Sequence, residues 1–330
     1  MKPVTLLKGL LTMAAALVPL HGFRGAEEGI SGDRFSGDVR CIMDLGDYRT
    51  EGLTPGMHYE LMKLFADRAD FNAIVEDNPS KADFLDSLRE GRVGMVAVRM
   101  SDSLDTHGLL VSIPIAGDYR WLVRDSCHTR MKEINAWYAH FSCTKDSEDL
   151  MKRFSTSYNP YTRLNTGKTY SVLSPYDGYI RKYASTIGWD WRKFAALIWS
   201  ESKFSISAHS HMGARGIMQL RPATAGNFGV SNPLDPEENI AAGAQLIKTL
   251  QDNLSTYARD EEELEKYTLA AYNAGLGSVR KRIAEADSLG IRAQLSEDTS
   301  EYVATVKELY AILCTLTTEP AQSAQDQPAK

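Results

Sequence analysis

The stretch Trp189-Asp190-Trp191-Arg192-Lys193-Phe194-Ala195-Ala196-Leu197-Ile198-Trp199-Ser200-Glu201-Ser202 decides how the second half of this chain is read. Phe194, Leu197, Ile198 and Trp199 put apolar side chains on most faces of a helix, so the spacing predicts a buried one. That helix ends on a carboxylate, Glu201, and no other acid follows until Asp235. A carboxylate there is desolvated and faces the negative pole of the helix dipole. Both effects disfavour the anion and raise the pKa. An acid that keeps its proton near neutral pH is what general acid catalysis needs. The plainer alternative is a solvated glutamate at a frayed helix end, because charged side chains are seldom buried without a partner.

The residues downstream favour the first reading. They run Ser210-His211-Met212-Gly213-Ala214-Arg215-Gly216-Ile217-Met218-Gln219-Leu220-Arg221, with Asn239-Ile240-Ala241-Ala242-Gly243 and Ala271-Tyr272-Asn273-Ala274-Gly275 further on. Glu201-Ser202, Gly216-Ile217-Met218-Gln219 and Ala271 to Gly275 stand in the order of three signature blocks. On these blocks the stretch resembles the lysozyme-like domain of the soluble-type lytic murein transglycosylases. Tyr176-Asp177 and the Trp189 to Arg192 run resemble the branch called membrane-bound lytic murein transglycosylase F.

The resemblance implies a mostly α-helical lysozyme-like domain over residues 174–316. It implies an enzyme of the lyase type that opens the MurNAc-GlcNAc β-1,4 bond of peptidoglycan glycan strands and leaves a 1,6-anhydro sugar. Glu201 would act first as acid and then as base. Ser210, Gln219 and Tyr272 match polar positions near the reacting sugar, and Asn273 completes the substrate-binding set with a role in shaping the groove. Ile217 and Met218 are expected to pack beneath the site, and Ser202 to support the turn. Arg221 stands where many relatives carry Met. Trp199 and Phe204 are expected either to stack on sugar or to pack in the core. Neither a cofactor nor a metal is implied.

The missing second acid is informative by itself. Ordinary glycosidases use two carboxylates. With one, the substrate must supply the other group; the resemblance implies that this is the N-acetyl arm of the muramic sugar, and that the sugar's own C6 hydroxyl is the acceptor, an intramolecular one with a high effective concentration. Two other readings stay open: a muramidase-type hydrolase of the same fold, and a peptidoglycan-binding or sensory scaffold whose site has decayed.

Composition bounds the rest. The chain has 330 residues, 43% of them hydrophobic and 24% charged, which suits a globular protein of two domains. A net charge of −6 argues against a nucleic-acid partner, which would need a basic face. Lys2 and Lys8 followed by the apolar run from Gly9 to Leu20 have the form of a secretory signal, placed at residues 1–24. The expected location is the periplasm, with room for an association with the outer membrane or a cell-wall protein. No cysteine follows the apolar run closely, so a lipid anchor is not expected. Cys41, Cys127, Cys143 and Cys314 lack metal-ligand spacing; Cys127 with Cys143 is the nearest pair for a disulfide, and free buried cysteines are the equal alternative. His209-x-His211 offers too few ligands for a structural zinc.

Residues 36–158 alternate between strand and helix patterns. Strands are expected at 39–45, 71–75, 94–98, 109–115 and 120–123, and helices at 56–66, 81–89 and 131–141. Such alternation predicts a parallel sheet covered by helices. The runs Tyr59 to Ala66 and Leu88 to Ala97 resemble one lobe of the family 3 periplasmic solute-binding proteins. A second lobe is not evident, so no ligand residues are assigned to it. The expected whole is an α+β chain: a single solute-binding-protein-like α/β lobe at 36–158, a linker at 159–173, the helical domain at 174–316 and a disordered polar tail at 317–330.

Overall fold

A computed structural model describes residues 30–31, 34–78, 83–101 and 104–317. The signal at 1–24 and the tail from residue 318 onward lie outside the described residues, as does the start of the helix expected from residue 81. The lobe carries β1 (Ile30–Ser31), β2 (Arg34–Phe35), β3 (Asp38–Asp44), α1 (Tyr48–Glu51), α2 (Thr54–Arg68), β4 (Asn72–Asp77), α3 (Leu85–Arg89), β5 (Met95–Arg99), β6 (Leu109–Val111) and β7 (Tyr119–Arg124). Then come α4 (His128–Phe141), α5 (Lys145–Ser155) and α6 (Pro160–Leu164). The second domain is helical: α7 (Asp177–Thr186), α8 (Trp191–Ser202), α9 (Pro222–Asn227), α10 (Pro236–Leu254), α11 (Glu261–Ala274), α12 (Leu276–Ser288) and α13 (Glu297–Thr315).

The lobe's main sheet has the order β4-β3-β5-β7-β6. β4, β3 and β5 are parallel, whereas β7 runs antiparallel to β5 and to β6. The parallel sheet expected from the sequence is therefore a mixed one. The physical reason lies after β5, where no helix intervenes before β6 and β7, so the chain returns without a crossover. The strand expected over 109–115 pairs only at Leu109–Val111, with an isolated bridge at Ile115. Residues 95–98 of β5 are all buried, because α2 packs on one face of the sheet and α3 on the other.

One apolar core runs from the α2 face of the sheet through Phe154 and Tyr176 into the helical domain. Gly56, in α2, is placed so that a Cβ would fall 2.3 Å from the Tyr176 hydroxyl and 2.7 Å from the Phe154 ring. Only glycine allows α2 to approach that closely. Polar ties follow the same boundary. Tyr59 donates to Asp235 Oδ2 at 2.9 Å, Asn232 Nδ2 donates to the Val75 carbonyl at 2.9 Å, and Arg215 pairs with Asp77.

The stretch 159–173 carries α6, and Arg163 within it is buried, donating to the carbonyls of Ser157 and Val172. Asp235 caps α10 by accepting from the backbone of Glu237 and Glu238, with Pro236 in the first turn. Glu238 does not close a capping box: its carboxylate accepts from Ser231 and Asn232, tying down the preceding loop. None of the four cysteines, all among the described residues, is in a disulfide, and Cys41 and Cys127 are buried.

Candidate active site

The helix α8 is anchored before it delivers its carboxylate. Asp190 is its N-cap, accepting from the Arg192 backbone at 2.8 Å. The same carboxylate holds the buried Arg192 guanidinium, at 2.9 Å from Nε, and accepts from Tyr310 of α13 at 3.2 Å. At its other end the chain leaves α8 through Lys203 and Phe204, with φ of 55° and 66°. Two successive non-glycine residues in the left-handed region are strained, and such strain gathers at functional sites. Ser202 donates to the Ile198 carbonyl and is buried, so it belongs to this turn.

Glu201 lies one residue inside that exit. Tyr302 of α13 donates to its Oε1 at 2.5 Å. Burial pushes the Glu201 carboxyl up to about 7, against the smaller opposing pulls of the Tyr302 hydrogen bond and the Lys203 ammonium. Glu201 opens into a cleft of about 600 Å³ that Ser210, Gln219, Tyr272 and Asn273 also line. All five residues singled out in the sequence therefore meet in one cavity. Among the described residues lining it, Glu201 is the sole carboxylate and Arg221 the sole cation.

The far wall is a hairpin-like segment from Ala208 to Leu220, held by bridges His209–Arg215 and Arg215–Leu220. Gly216 has φ 80°, and a Cβ there would meet the Pro233 carbonyl at 2.3 Å and Asn239 Nδ2 at 2.4 Å. Gln219 also takes a positive φ, 49°. Its amide nitrogen donates to the carbonyls of Ala208 at 2.8 Å and Gly216 at 3.0 Å. Two carbonyl partners fix the nitrogen inward, so only Oε1 remains to accept from a ligand. Tyr272 donates to the Met218 carbonyl at 2.7 Å, leaving its oxygen as an acceptor toward the cleft. Ser210 accepts from the Ala214 backbone at 3.0 Å, which leaves its proton to donate. Asn239 receives the Met218 backbone N–H at 2.8 Å, and Ile217 and Met218 lie fully buried beneath. Asn273 sits exposed on the rim, just before the Gly275 turn that ends α11.

Trp199 and Phe204 are buried and do not line the cleft; Trp199 packs edge-on against Tyr161, 5.7 Å between centroids. Tyr302 is the residue the sequence reading missed. It stands in the apolar stripe of α13, and the only signal the sequence offers is its hydroxyl, since a buried tyrosine normally seeks a partner. No group of three or more His, Cys, Asp or Glu among the described residues is placed to hold a metal ion.

Residues 178–295 match the family model described as Transglycosylase SLT domain. The chain is 26% identical over 241 residues to a membrane-bound lytic murein transglycosylase F of Desulfosudis oleivorans, covering 70% of this chain and 53% of that protein. It is 40% identical over 107 residues to the protein of that name from Serratia proteamaculans, covering 32% of this chain and 21% of the relative. The chain thus spans about half the length of the first and about a fifth of the second. Among solved structures, the 70 kDa soluble lytic transglycosylase SLT70 of Escherichia coli aligns at 19% identity with a TM-score of 0.35, over 62% of this chain and 38% of that one. By the match to its family model, this chain carries a transglycosylase SLT domain at residues 178–295.

Proposed function

We propose that the protein is a peptidoglycan lytic transglycosylase that opens the MurNAc-GlcNAc β-1,4 bond and closes the muramic end as a 1,6-anhydro ring. The observation that carries this reading is the lone, partly desolvated carboxylate of Glu201 in a cleft whose other lining residues, among those described, bear no acid. Glu201 protonates the glycosidic oxygen as the C1–O bond breaks. The substrate's N-acetyl oxygen stabilises the positive charge at C1, a task that a second carboxylate performs in ordinary glycosidases. Ser210 offers a hydroxyl proton and Tyr272 an acceptor oxygen, and together with Gln219 Oε1 they can orient the N-acetyl arm. The Glu201 carboxylate then takes the proton of the C6 hydroxyl as its oxygen bonds to C1. The proton given in the first step leaves on the GlcNAc 4-hydroxyl, the C6 hydroxyl proton replaces it on Glu201, and no water is consumed. Tyr302 holds the carboxylate through both steps.

The relatives' name and the signal-like start at residues 1–24 support a periplasmic site of action on glycan strands. No helix among the described residues is long and apolar enough to cross a membrane. Digestion of purified sacculi in heavy-oxygen water, read by mass spectrometry, tests the chemistry. Anhydro ends one water lighter than a lysozyme digest, without label, are expected. Label at the new muramic ends would establish the hydrolase, and an absence of any cleavage would establish a binding scaffold.

A further inference from the structure

The segment that walls the cleft has two faces. Ser210, Met212 and Ala214 line the catalytic cleft, whereas Ser207, His209 and His211 line a separate cavity of about 460 Å³. The opposite wall of that second cavity is the lobe: Met43 to Asp47, where β3 ends, and Asp77 and Asn78, where β4 ends. These are the carboxyl ends of adjacent parallel strands, the usual working end of such a sheet. Here that end meets the wall of the catalytic cleft.

One ion pair crosses between them. Asp77, the last residue of β4, pairs with Arg215, and the Asp77 side chain is 10% exposed against 35% for Arg215. Arg215 is the central rung of the segment: its backbone N–H donates to the Leu220 carbonyl at 2.9 Å and its carbonyl accepts from Leu220 at 3.1 Å. The neighbouring Gly216 N–H donates to the Ala208 carbonyl, the same oxygen that receives Gln219. A second tie lies two residues back along the same strand, where Asn232 reaches the Val75 carbonyl. Burial raises the Asp77 pKa and Arg215 opposes it, so an unpaired Asp77 anion would be costly there.

We propose that Asp77 is a positioning residue for the catalytic cleft: through Arg215, the lobe fixes the segment that presents Ser210 and Gln219 to substrate. The lobe thereby acts as a brace for the catalytic domain across its strand ends. The inference rests on the proposed reaction for its kinetic consequence, but its structural consequence can be read without it.

The test uses the full chain with Asp77→Asn, Asp77→Glu, Arg215→Met and the Asp77→Asn/Arg215→Met double variant. Amide hydrogen exchange of Gly216, Leu220 and Ser210, measured by NMR or by mass spectrometry of the peptide spanning them, reports the brace whether or not the protein cleaves glycan. Exchange should quicken at least tenfold in Asp77→Asn and in Arg215→Met, with α8 and α10 amides unchanged, and Asp77→Glu should restore much of the protection. On sacculi, a misplaced cleft wall should lower turnover on the order of tenfold, since shifts near 1 Å can cost more than that. The double variant should be no worse than Arg215→Met alone, as expected for a coupled pair. Unchanged exchange in both single variants, or fully additive losses, would overturn the brace. Faster exchange in a chain whose wild type cleaves nothing would keep the brace and sink the proposed reaction.

Discussion

Tyr302 donates a 2.5 Å hydrogen bond to Oε1 of Glu201, joining two residues 101 positions apart on adjacent helices α13 and α8. The bond stabilises the anion, while burial of the same carboxyl favours the acid. A group that must give a proton and then take one back is served by such a balance near neutrality.

Removing the proposed proton donor should separate folding from chemistry. Glu201→Gln is expected to fold and to lose turnover by on the order of a hundredfold or more. Circular dichroism alongside sacculus digestion checks it, and a well-folded variant with near-native turnover would refute the role of Glu201.

The same substitution should change stability with a defined sign. The folded carboxyl titrates at about 7, above its ordinary value of 4.5, so the folded state holds the proton more tightly. This contribution is present in full below pH 4.5 and is lost as pH rises through about 7. Glu201→Gln has no such loss. It should match wild type near pH 4 and exceed it at pH 8 by on the order of 2–3 kcal/mol. Urea titrations at the two pH values measure the difference, and a variant less stable at pH 8 would contradict it.

Activity should fall as pH rises past about 7, where Glu201 loses its proton in the free enzyme. Tyr302→Phe removes a hydrogen bond that lowers this pKa, so the descending limb of kcat/KM should move to higher pH. Turnover at the optimum should drop about tenfold through lost orientation of the carboxylate. A pH profile of both proteins shows either the shift or its absence.

Tyr272→Phe should slow the reaction by about tenfold and leave the anhydro product unchanged. The hydroxyl ties α11 to the Met218 carbonyl and offers an acceptor to the cleft, but it carries no proton into the chemistry. Product analysis by mass spectrometry separates rate from outcome.

Gly216→Ala should be worse than its size suggests. It places a Cβ 2.3 Å from the Pro233 carbonyl and 2.4 Å from Asn239, at a φ of 80°. A loss of about 1–3 kcal/mol is expected, together with loosening of the Met218–Asn239 contact that seats the cleft wall. Thermal unfolding and sacculus digestion read the two effects.

The anchor of α8 gives a last test. Arg192→Met leaves Asp190 buried without its guanidinium and should cost about 3–5 kcal/mol. Asp190 also caps α8 and accepts from Tyr310, so Asp190→Ala should be at least as harmful. Denaturant melts of both variants give the values.

The helix 191–202 and its terminal acid were legible in the sequence because both are local, and the Gly216 turn and the cap at Asp235 rest on equally local features. An apolar spacing, a glycine that must adopt positive φ, and an aspartate before Pro236 all act within a few residues. The three motif blocks likewise contain Glu201, Gln219, Tyr272 and Asn273, which meet in the cleft with Ser210. What the sequence left open depended on partners distant along the chain. Tyr302 is an ordinary stripe residue of α13 until α8 packs beside it and offers Glu201. Gln219 read as a free ligand for substrate until the fold turned its amide nitrogen onto two carbonyls. The sheet became mixed because pairing partners are chosen across the sheet and are not set by the alternation along a strand. Asp77 has no local mark at all. Only when the lobe's strand ends meet the segment around Arg215 do burial and an opposing charge give it a task, because such interactions depend on distance in space and are blind to distance in sequence.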